Sequence, residues 1–505
     1  MPQITLSMIV KNEEKHLKKC LDSVISLVDE IVIVDTGSSD KTLEIAKSFN
    51  SKILHFEWIN DFSAARNFAL KKSTGDFILY LDADEILSDK SKNYIKNLVK
   101  NKDKIGYLCT ITSIDEFSKQ NNSIQYVRFF RNSDNIKFVG KAHEQITDSL
   151  IESGYKILPS EIEIIHYGYN ISKDEKKIKA ERNLNLLLKE YETNKSEYIA
   201  FQIGQSYFIL ENFDEAEKYF KQAISNGNLS KDLQAESYSY LAQINHFRFD
   251  ISSTEVNIKK ALSLNNNQPF YYYLYSKVLQ RKMDYQNSYL NLKKAYELNN
   301  FLSKLKRNNI QSVHLNNYEV LISLISLSIK NNDRKSLSFY GNELFKEVKK
   351  NNYENKEHYG MLLKILSGNH NPSNNDLVKL IEIIDEINLE LFLLIIDSIS
   401  DVQNKLEVVL RLNKSFPNNV ELLKRIAIIF NSDNKTEHAI EILEKNFDKI
   451  QSDPSTLFYL ASFHIKNNNS RRALEIFDLI ENKFPQISAL NSKVNEIKEK
   501  IKQYI

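Results

Sequence analysis

Cysteine is nearly absent from this sequence, and the shortage limits the kind of protein it encodes. The 505 residues include only Cys20 and Cys109, too few for the disulfide framework of a secreted fold. Net charge is small as well, because 68 basic residues are offset by 66 acidic ones, which leaves a formal charge of +2. This balance argues against a nucleic-acid partner held by bulk electrostatics.

Targeting and membrane segments are missing too. The amino terminus has no basic segment followed by an apolar core, so we expect no signal peptide. The longest strongly apolar run of the C-terminal part covers residues 391–396, whereas a membrane-spanning helix needs about 20 residues. These absences predict a soluble, cytoplasmic protein without a transmembrane segment.

The sequence contains two regions with different residue patterns, which meet near residue 170. Its length also favours two or more domains. Before that point, short β-branched runs alternate with amphipathic stretches. Predicted strands cover residues 4–10, 31–34, 53–56 and 77–81, and predicted helices cover 14–28, 42–49 and 64–72. Such alternation predicts an α/β domain with a mostly parallel sheet covered on both faces. Ligands of such sheets lie beyond the carboxyl ends of the strands.

Polar clusters follow three of these strands, at residues 11–13, 35–40 and 82–84. Asp82 and Asp84 end the apolar run 77–81, and strand alternation predicts that their side chains point the same way. Two carboxylates at this edge suit a hard divalent cation that in turn holds phosphates. Asp35 closes the second strand, where it could accept hydrogen bonds from a nucleobase or ribose.

Other candidate residues leave alternatives open. Arg66 either makes a bidentate contact to phosphate or holds an acidic partner in the core. His143 and Glu144 are adjacent, so on a strand they point to opposite faces and do not serve one ion together. A lone histidine is more often a core residue than a ligand, although His143 and His166 both lie in tight polar and aromatic clusters.

After residue 170, glycine and proline become sparse and apolar residues recur at helical spacing. Ile426-Ala427 and Ala439 recur 34 residues later as Leu460-Ala461 and Ala473, which is the tetratricopeptide period. We therefore predict an α/β domain over residues 1–172 and an all-α tetratricopeptide-like domain over 173–505. Within the second domain, residues 173–195 form a linking helix, the clearest repeats cover 197–300 and 420–490, and residues 300–385 are helical without an assigned register.

At this point the chain resembles a known family. The resemblance rests on MIVKNEE (residues 8–14), VDTGS (34–38), NDFSAARN (60–67) and DAD (82–84), with GKAHE (140–144) and HYGY (166–169). Together they look like a family 2 inverting glycosyltransferase of the GT-A fold. With GKAHE, HYGY and the tetratricopeptide tail, the chain most resembles the branch that contains the bacterial peptide S-glycosyltransferases of the sublancin type; the resemblance covers roughly residues 4–230, and the remainder resembles it only by repeat architecture. Thr36 departs from the pattern, since many members carry a second Asp there.

The resemblance implies a role for each candidate residue. Asp84 and Asp82 would hold Mn²⁺ or Mg²⁺ on the diphosphate of a nucleotide-sugar. His166 is the candidate third ligand, in preference to His143. The resemblance implies that the nucleotide-sugar is UDP-glucose. Glu144 would be the general base. The nucleotide-sugar would be bound by Lys11, Asn12, Asp35, Asp61, Arg66 and Asp82.

The acceptor is less well specified by the sequence. A polypeptide side chain, Cys or Ser/Thr, docked by the concave repeat surface is the first hypothesis. A cell-envelope polysaccharide or lipid-linked glycan is the alternative within the same activity. The third hypothesis belongs to another functional class: a non-catalytic tetratricopeptide scaffold with an inactive transferase domain. A homodimer is compatible with all three hypotheses.

Overall fold

The computed structural model describes residues 2–115, 120–167, 173–304, 312–313, 315–350, 356–366, 370, 372–397, 399, 401–485 and 487–502. The strands are β1 Ile4–Val10, β2 Glu30–Asp35, β3 Lys52–His55, β4 Phe77–Tyr80, β5 Glu85–Leu87, β6 Ile105–Asp115, β7 Gln120–Arg131, β8 Lys156–His166 and β9 Ser312–Val313. The helices among them are α1 Leu17–Val24, α2 Thr42–Ser48, α3 Phe62–Lys72, α4 Asp89–Leu98 and α5 Thr147–Glu152. The predicted α/β start of the chain is therefore confirmed.

Helices make up nearly all of the rest of the described chain. The longer ones up to residue 304 are α6 Lys173–Thr193, α7 Glu197–Ile209, α8 Phe213–Ala223, α9 Lys231–Phe247, α10 Ile251–Leu264, α11 Pro269–Arg281 and α12 Tyr285–Lys304. They are followed by α13 Asn317–Lys330, α14 Arg334–Lys350, α15 Lys356–Leu366, α16 Asn374–Leu380, the 3₁₀ turn Ile381–Ile383, α17 Leu389–Asp397 and α18 Val402–Ser415. The last are α19 Val420–Ser432, α20 Thr436–Lys445, α21 Phe447–Ile450, α22 Pro454–Lys466, α23 Ser470–Lys483 and α24 Ser488–Lys502.

The described strands form one mixed sheet in the order β3-β2-β1-β4-β7-β6-β8-β5, with β9 beside β7. β3, β2, β1 and β4 are parallel, as the strand–helix alternation predicts. β7 joins β4 antiparallel and extends the sheet. The chain leaves β1 towards β2 and later returns to β4 on its other side, which makes the β1–β4 edge a topological switch point. Ligand sites in open α/β sheets lie at such points.

The two faces of the sheet are buried by different side chains. Ile78 pairs with Phe130 across β4 and β7, and both lie in a cluster with Leu70 of α3. The next pair, Leu79 and Phe129, belongs to the larger cluster on the opposite face. A strand buried on both faces reads as an unbroken apolar run, which is why the segment before Asp82 is so apolar.

The chain divides into two compact units. The first comprises Met1–Ile244, Val256–Leu274 and Lys294–Asn316, and the second comprises Asn245–Glu255, Tyr275–Lys293 and Asn317–Ile505. The first unit thus includes α6, α7, α8 and most of α9 together with the sheet. The domain boundary expected at 172/173 touches residues 168–172, which lie outside the described residues, and it stays a prediction.

The tetratricopeptide period is confirmed in the helical part. In the second unit, α19 and α22 begin after Asn419 and Asp453, and each side chain caps its helix by accepting from the backbone N–H three residues on. Ala439 of α20 and Ala473 of α23 are both fully buried, so the paired helices approach closely at equivalent positions. Residues 300–385 contain α13 to α16, which the sequence left without a register. Over the part of the chain that the structure describes, no helix is long and apolar enough to cross a bilayer.

Gly204 of α7 is where the first repeat packs most tightly. A Cβ added at Gly204 would lie 2.9 Å from the ring of Phe220 on α8, which stacks on Tyr240 with 4.7 Å between ring centroids. Phe220 is fully buried, so it has little room to move. We expect Gly204→Ala to lower the free energy of unfolding by about 1–3 kcal/mol, as measured by urea denaturation followed by circular dichroism.

The matched control is Gly360→Ala in α15, where the nearest atom to an added Cβ is 4.0 Å away. This change should be neutral or should stabilise by up to about 1 kcal/mol, because alanine favours helix more than glycine. Equal effects of the two substitutions would contradict the packing argument at Gly204.

Candidate active site

The loops after β1 and β2 are tied to each other at the carboxyl edge of the sheet. Asn12 has a left-handed backbone (φ 57°), donates its N–H to the Ser38 hydroxyl over 3.0 Å, and accepts from the Ser39 N–H at 2.8 Å. Asp35, 4% exposed, accepts from the backbone N–H groups of Gly37 and Ser38. The two predicted nucleotide-binding residues therefore shape one loop pair, and Lys11 is exposed beside it.

Asp61 is the N-cap of α3, and its side chain accepts from the Ala64 N–H at 2.9 Å. Asp61 also accepts from the Ser63 hydroxyl at 2.7 Å. The following residue, Phe62, meets the edge of Trp58 with 4.7 Å between ring centroids. Asp61 thus determines where α3 starts and how it presents Arg66 one turn later.

Arg66 lies between two of the predicted site carboxylates. Its side chain is 8% exposed; Nη2 donates to Asp82 over 2.5 Å and Nε donates to Glu144. The contact of Arg66 with acidic partners is present in the structure, and the contact with phosphate stays a prediction. Three site residues predicted from separate motifs, Arg66, Asp82 and Glu144, are thereby brought together.

A second arginine, Arg128 of β7, extends this ion-pair network. Its Nη2 donates to Asp82 over 3.2 Å and to Glu85 over 2.7 Å. The ring of Tyr80 lies 4.5 Å from the Arg128 guanidinium and 5.3 Å from that of Arg66, so it packs against both cations. Burial therefore raises the pKa of Tyr80 to about 12, although the two guanidinium groups oppose the shift.

The carboxylates of this network have opposite pKa shifts. Burial alone would raise the pKa of Asp82, but the charges of Arg66 and Arg128 hold it well below its usual range. Glu85 is buried with one arginine and close to Asp82, and burial is the main cause that raises its pKa to about 7. Asp82 is therefore ionised at neutral pH, and Glu85 holds its proton more tightly than an exposed glutamate does.

Asp82 and Asp84 have different partners in the structure. β4 ends at Tyr80, so both residues lie in the turn before β5 and the strand rule does not apply to them. The Asp82 carboxylate faces the two arginines, whereas Asp84 Oδ2 lies 3.3 Å from His166 Nε2. His166 Nδ1 is 3.2 Å from the Ser113 hydroxyl, which orients the ring.

The three residues predicted as metal ligands are therefore only partly brought together. Within the described residues, no group of three or more His, Cys, Asp or Glu side chains converges as a metal site. Asp84 and His166 form an oxygen and nitrogen donor pair, to which a substrate diphosphate could add further oxygens. Gly168 and Tyr169 of the HYGY motif lie outside the described residues.

Glu144 lies in a short loop, residues 140–144, that is constrained from several sides. Val139 and Gln145 pair across its base, and Gly140 and His143 have left-handed backbones (φ 105° and 54°). A left-handed histidine is uncommon and persists where the surroundings enforce it. His143 is exposed in this loop and His166 is the histidine beside Asp84, as the preferred assignment requires.

Helices α3 and α6 hold this loop from opposite sides. The Lys141 carbonyl accepts from the Phe62 N–H at 3.0 Å, and the Lys141 N–H donates to Glu190 Oε2 of α6 over 2.9 Å. Ala142 is buried in a cluster with Leu184 and Leu187 of α6. The first helix after the sheet thus contributes directly to the position of Glu144.

The sequence-based prediction of the site did not include three residues that the structure places there: Arg128, Glu85 and Glu13. A charged residue inside the apolar run of β7 was the available signal for Arg128, and a third acidic residue next to Asp84 was the signal for Glu85. Burial, followed by the charge of Asp84, raises the pKa of Glu13 to about 7 and identifies it as a neighbour of Asp84. The polar cluster at residues 11–13 includes Glu13, but nothing in that cluster indicated a position beside Asp84.

Known proteins resemble this chain in both of its parts. Residues 5–162 match the family model described as glycosyl transferase family 2. A TPR repeat-containing protein of Synechococcus elongatus is 31% identical over 271 residues, which are 52% of this chain and 66% of that protein. The SPbeta prophage-derived glycosyltransferase SunS of Bacillus subtilis is 32% identical over 230 residues, 45% of this chain and 54% of SunS. The chain thus spans less than two thirds of either relative.

Proposed function

Because residues 5–162 carry a glycosyl transferase family 2 domain, we propose that this chain is a metal-dependent inverting glycosyltransferase. The donor we propose is UDP-glucose, and the acceptor is a Cys or Ser/Thr side chain of a polypeptide. The observation that carries the proposal is the position of Glu144 and Asp82 on one guanidinium, Arg66, at the switch point of the sheet. The similarity to the glycosyltransferase SunS supports the transferase activity over the shared part of the chain. The peptide acceptor follows the resemblance of the sequence motifs to the sublancin-type peptide S-glycosyltransferases.

The donor would lie over the loops after β1 and β2. Asn12 and Asp35 hold these loops in shape, which leaves Lys11 free to meet a phosphate. Asp84 and His166 fit a divalent cation, because they lie 3.3 Å apart and offer one carboxylate oxygen and one imidazole nitrogen. When bound, Mn²⁺ or Mg²⁺ neutralises charge that develops on the leaving diphosphate. Asp82 would act from beside this pair, since both of its oxygens accept from arginines.

Glu144 is suited to take the acceptor proton. Its Oε1 is held by Arg66, and among the described residues no donor is bonded to its other oxygen. The acceptor sulfur or oxygen would attack the anomeric carbon as the bond to the diphosphate breaks. The electron pair leaves with the diphosphate and the acceptor proton passes to Glu144. No protein nucleophile is needed, because inversion takes one displacement.

The compartment that we propose is the cytoplasm. Support comes from Cys20 and Cys109, which are both free and buried in the structure, since disulfide-rich folds belong to oxidising compartments. The five charged side chains of the network argue against a non-catalytic scaffold. Buried ion pairs lose hydration energy on folding, so a protein without a use for them gains little stability from them.

The decisive experiment measures UDP released from UDP-glucose by the full chain, with Mn²⁺ and with an added chelator. A peptide with one Cys, and the same peptide with Ser in its place, would be analysed by mass spectrometry for an added hexose. We expect metal-dependent release of UDP and a hexose on at least one peptide. If no nucleotide sugar in a panel of UDP-sugars gives metal-dependent turnover, the proposed activity is wrong. Turnover with transfer only to a glycan would reassign the acceptor.

A further inference from the structure

Helices α7 and α9 present a polar face next to the loop of Glu144. On α7, Tyr198, Gln202 and Gln205 are spaced four and three residues apart, so they lie along one side of the helix. On α9, Glu236 and Tyr240 are likewise four residues apart. We call these five residues, with Gln145 of the adjoining loop, the α7–α9 polar face.

Hydrogen bonds connect this face from the loop to α9. Gln145 Nε2 donates to the Tyr198 hydroxyl over 3.4 Å. Gln205 Nε2 lies 3.2 Å from Glu236 Oε1 and 3.3 Å from the Tyr240 hydroxyl, so it bridges the two helices. Burial, together with the charges of Glu144 and Glu236, raises the pKa of Tyr198. Gln145 follows Glu144 directly in the chain, so its bond to Tyr198 places one end of the polar face beside the proposed base.

On this face, Gln202 lacks one hydrogen bond and Glu236 lacks a cationic partner among the described residues. Gln202 is 7% exposed, and its Oε1 has no hydrogen-bond donor among the described residues. A buried carbonyl oxygen without a donor is costly, and a ligand N–H would satisfy it. Within the described chain no cation pairs with Glu236, and burial is the main cause that raises its pKa to about 7. A ligand cation would stabilise the ionised form of Glu236.

We infer that the α7–α9 polar face is an acceptor subsite that binds a polypeptide with a Lys or Arg near the residue to be modified. The Gln202 carbonyl would accept from a backbone N–H of the peptide, and Glu236 would pair with its cation. A neutral glycan offers neither an amide N–H run nor a cation, so this face favours the peptide acceptor. The inference rests on the proposed function, in which Glu144 is the general base. It adds that the peptide substrate carries a positive charge near the modified residue.

Binding of labelled peptides to the full chain, followed by fluorescence anisotropy, tests the inference without any requirement for turnover. The peptides would share one Ser in a Gly/Ala background and carry Lys, Gln or Glu at each neighbouring position in turn. At the best position we expect Lys to bind about five-fold more tightly than Gln, the strength of a partly exposed ion pair. Glu236→Gln should remove that preference, and Glu236→Lys should make the Glu peptide the better ligand.

The matched control is Glu441→Lys, which makes the same change of charge at an exposed position of α20 and should leave the preference for Lys intact. Equal binding of all peptides, or a Lys preference that survives Glu236→Lys, would overturn the inference. Release of UDP from UDP-glucose is measured on the same variants and should be unchanged. If release persists while the peptides do not discriminate, the subsite is wrong and the glycosyltransferase proposal stands.

Discussion

Replacement of Asp84 by asparagine is expected to reduce metal-dependent UDP release about a thousand-fold, which corresponds to about 4 kcal/mol of transition-state stabilisation. Asparagine keeps the shape of the side chain but removes the negative charge that lies 3.3 Å from His166. A neutral amide is a much poorer ligand for a hard cation, so the diphosphate would leave without its counter-charge. The measurement is initial rate against Mn²⁺ concentration, with UDP-glucose as donor.

Asp89→Asn is the control, because Asp89 is an exposed residue of α4 whose carboxylate forms an ion pair with Lys92. It should release UDP at the wild-type rate and respond to Mn²⁺ in the same way. An Asp84→Asn protein that keeps wild-type turnover and metal response would remove Asp84 from the proposed site.

Replacement of Glu144 by glutamine should separate transfer from donor binding. We expect transfer to a Ser peptide to fall about a thousand-fold, because an amide cannot take the acceptor proton. Transfer to a Cys peptide should fall less, since a thiol is far more acidic than an alcohol. The KM for UDP-glucose should change little, because Glu144 is not among the proposed donor contacts, which are the loops after β1 and β2 and the cation held by Asp84 and His166. Rates with both peptides, measured by mass spectrometry, would give the two losses side by side.

Glu152→Gln, at the exposed end of α5, provides the same chemical change away from the loop of residues 140–144. It should transfer at the wild-type rate. Equal losses for Ser and Cys peptides in Glu144→Gln would speak for a role in binding rather than in proton transfer. Wild-type rates with both would assign the base elsewhere.

The sheet was predictable because its signals are local. β1 begins and ends where the apolar run of residues 4–10 does, and α3 starts two residues before the predicted helix because Asp61 caps it. The 34-residue spacing was enough to align α19 with α22, since each repeat uses the same small residues in the same contacts. The periods of a strand (2 residues), a helix (3.6 residues) and a tetratricopeptide repeat (34 residues) can all be read directly from the sequence.

The ion-pair network was not predictable, because its members are far apart in sequence. Arg66 is 78 residues from Glu144, and Arg128 is 43 residues from Glu85. No periodic pattern links such positions, so the sequence could offer phosphate or a carboxylate for Arg66 without a choice between them. The different partners of Asp82 and Asp84 were not predictable for a related reason, because Arg66 and His166 are also distant in sequence.

The bond from Lys141 to Glu190 has a consequence for anyone who exchanges parts between enzymes of this architecture. The loop that carries Glu144 is braced by α6, so a transferase part cut directly after the sheet would lose that brace. We expect a transplanted segment to work best when it ends within α9 at Ile244, where the first compact stretch of chain ends. In hybrids of this kind, the residues that bind the donor and helices α6 to α9 would have to be inherited together.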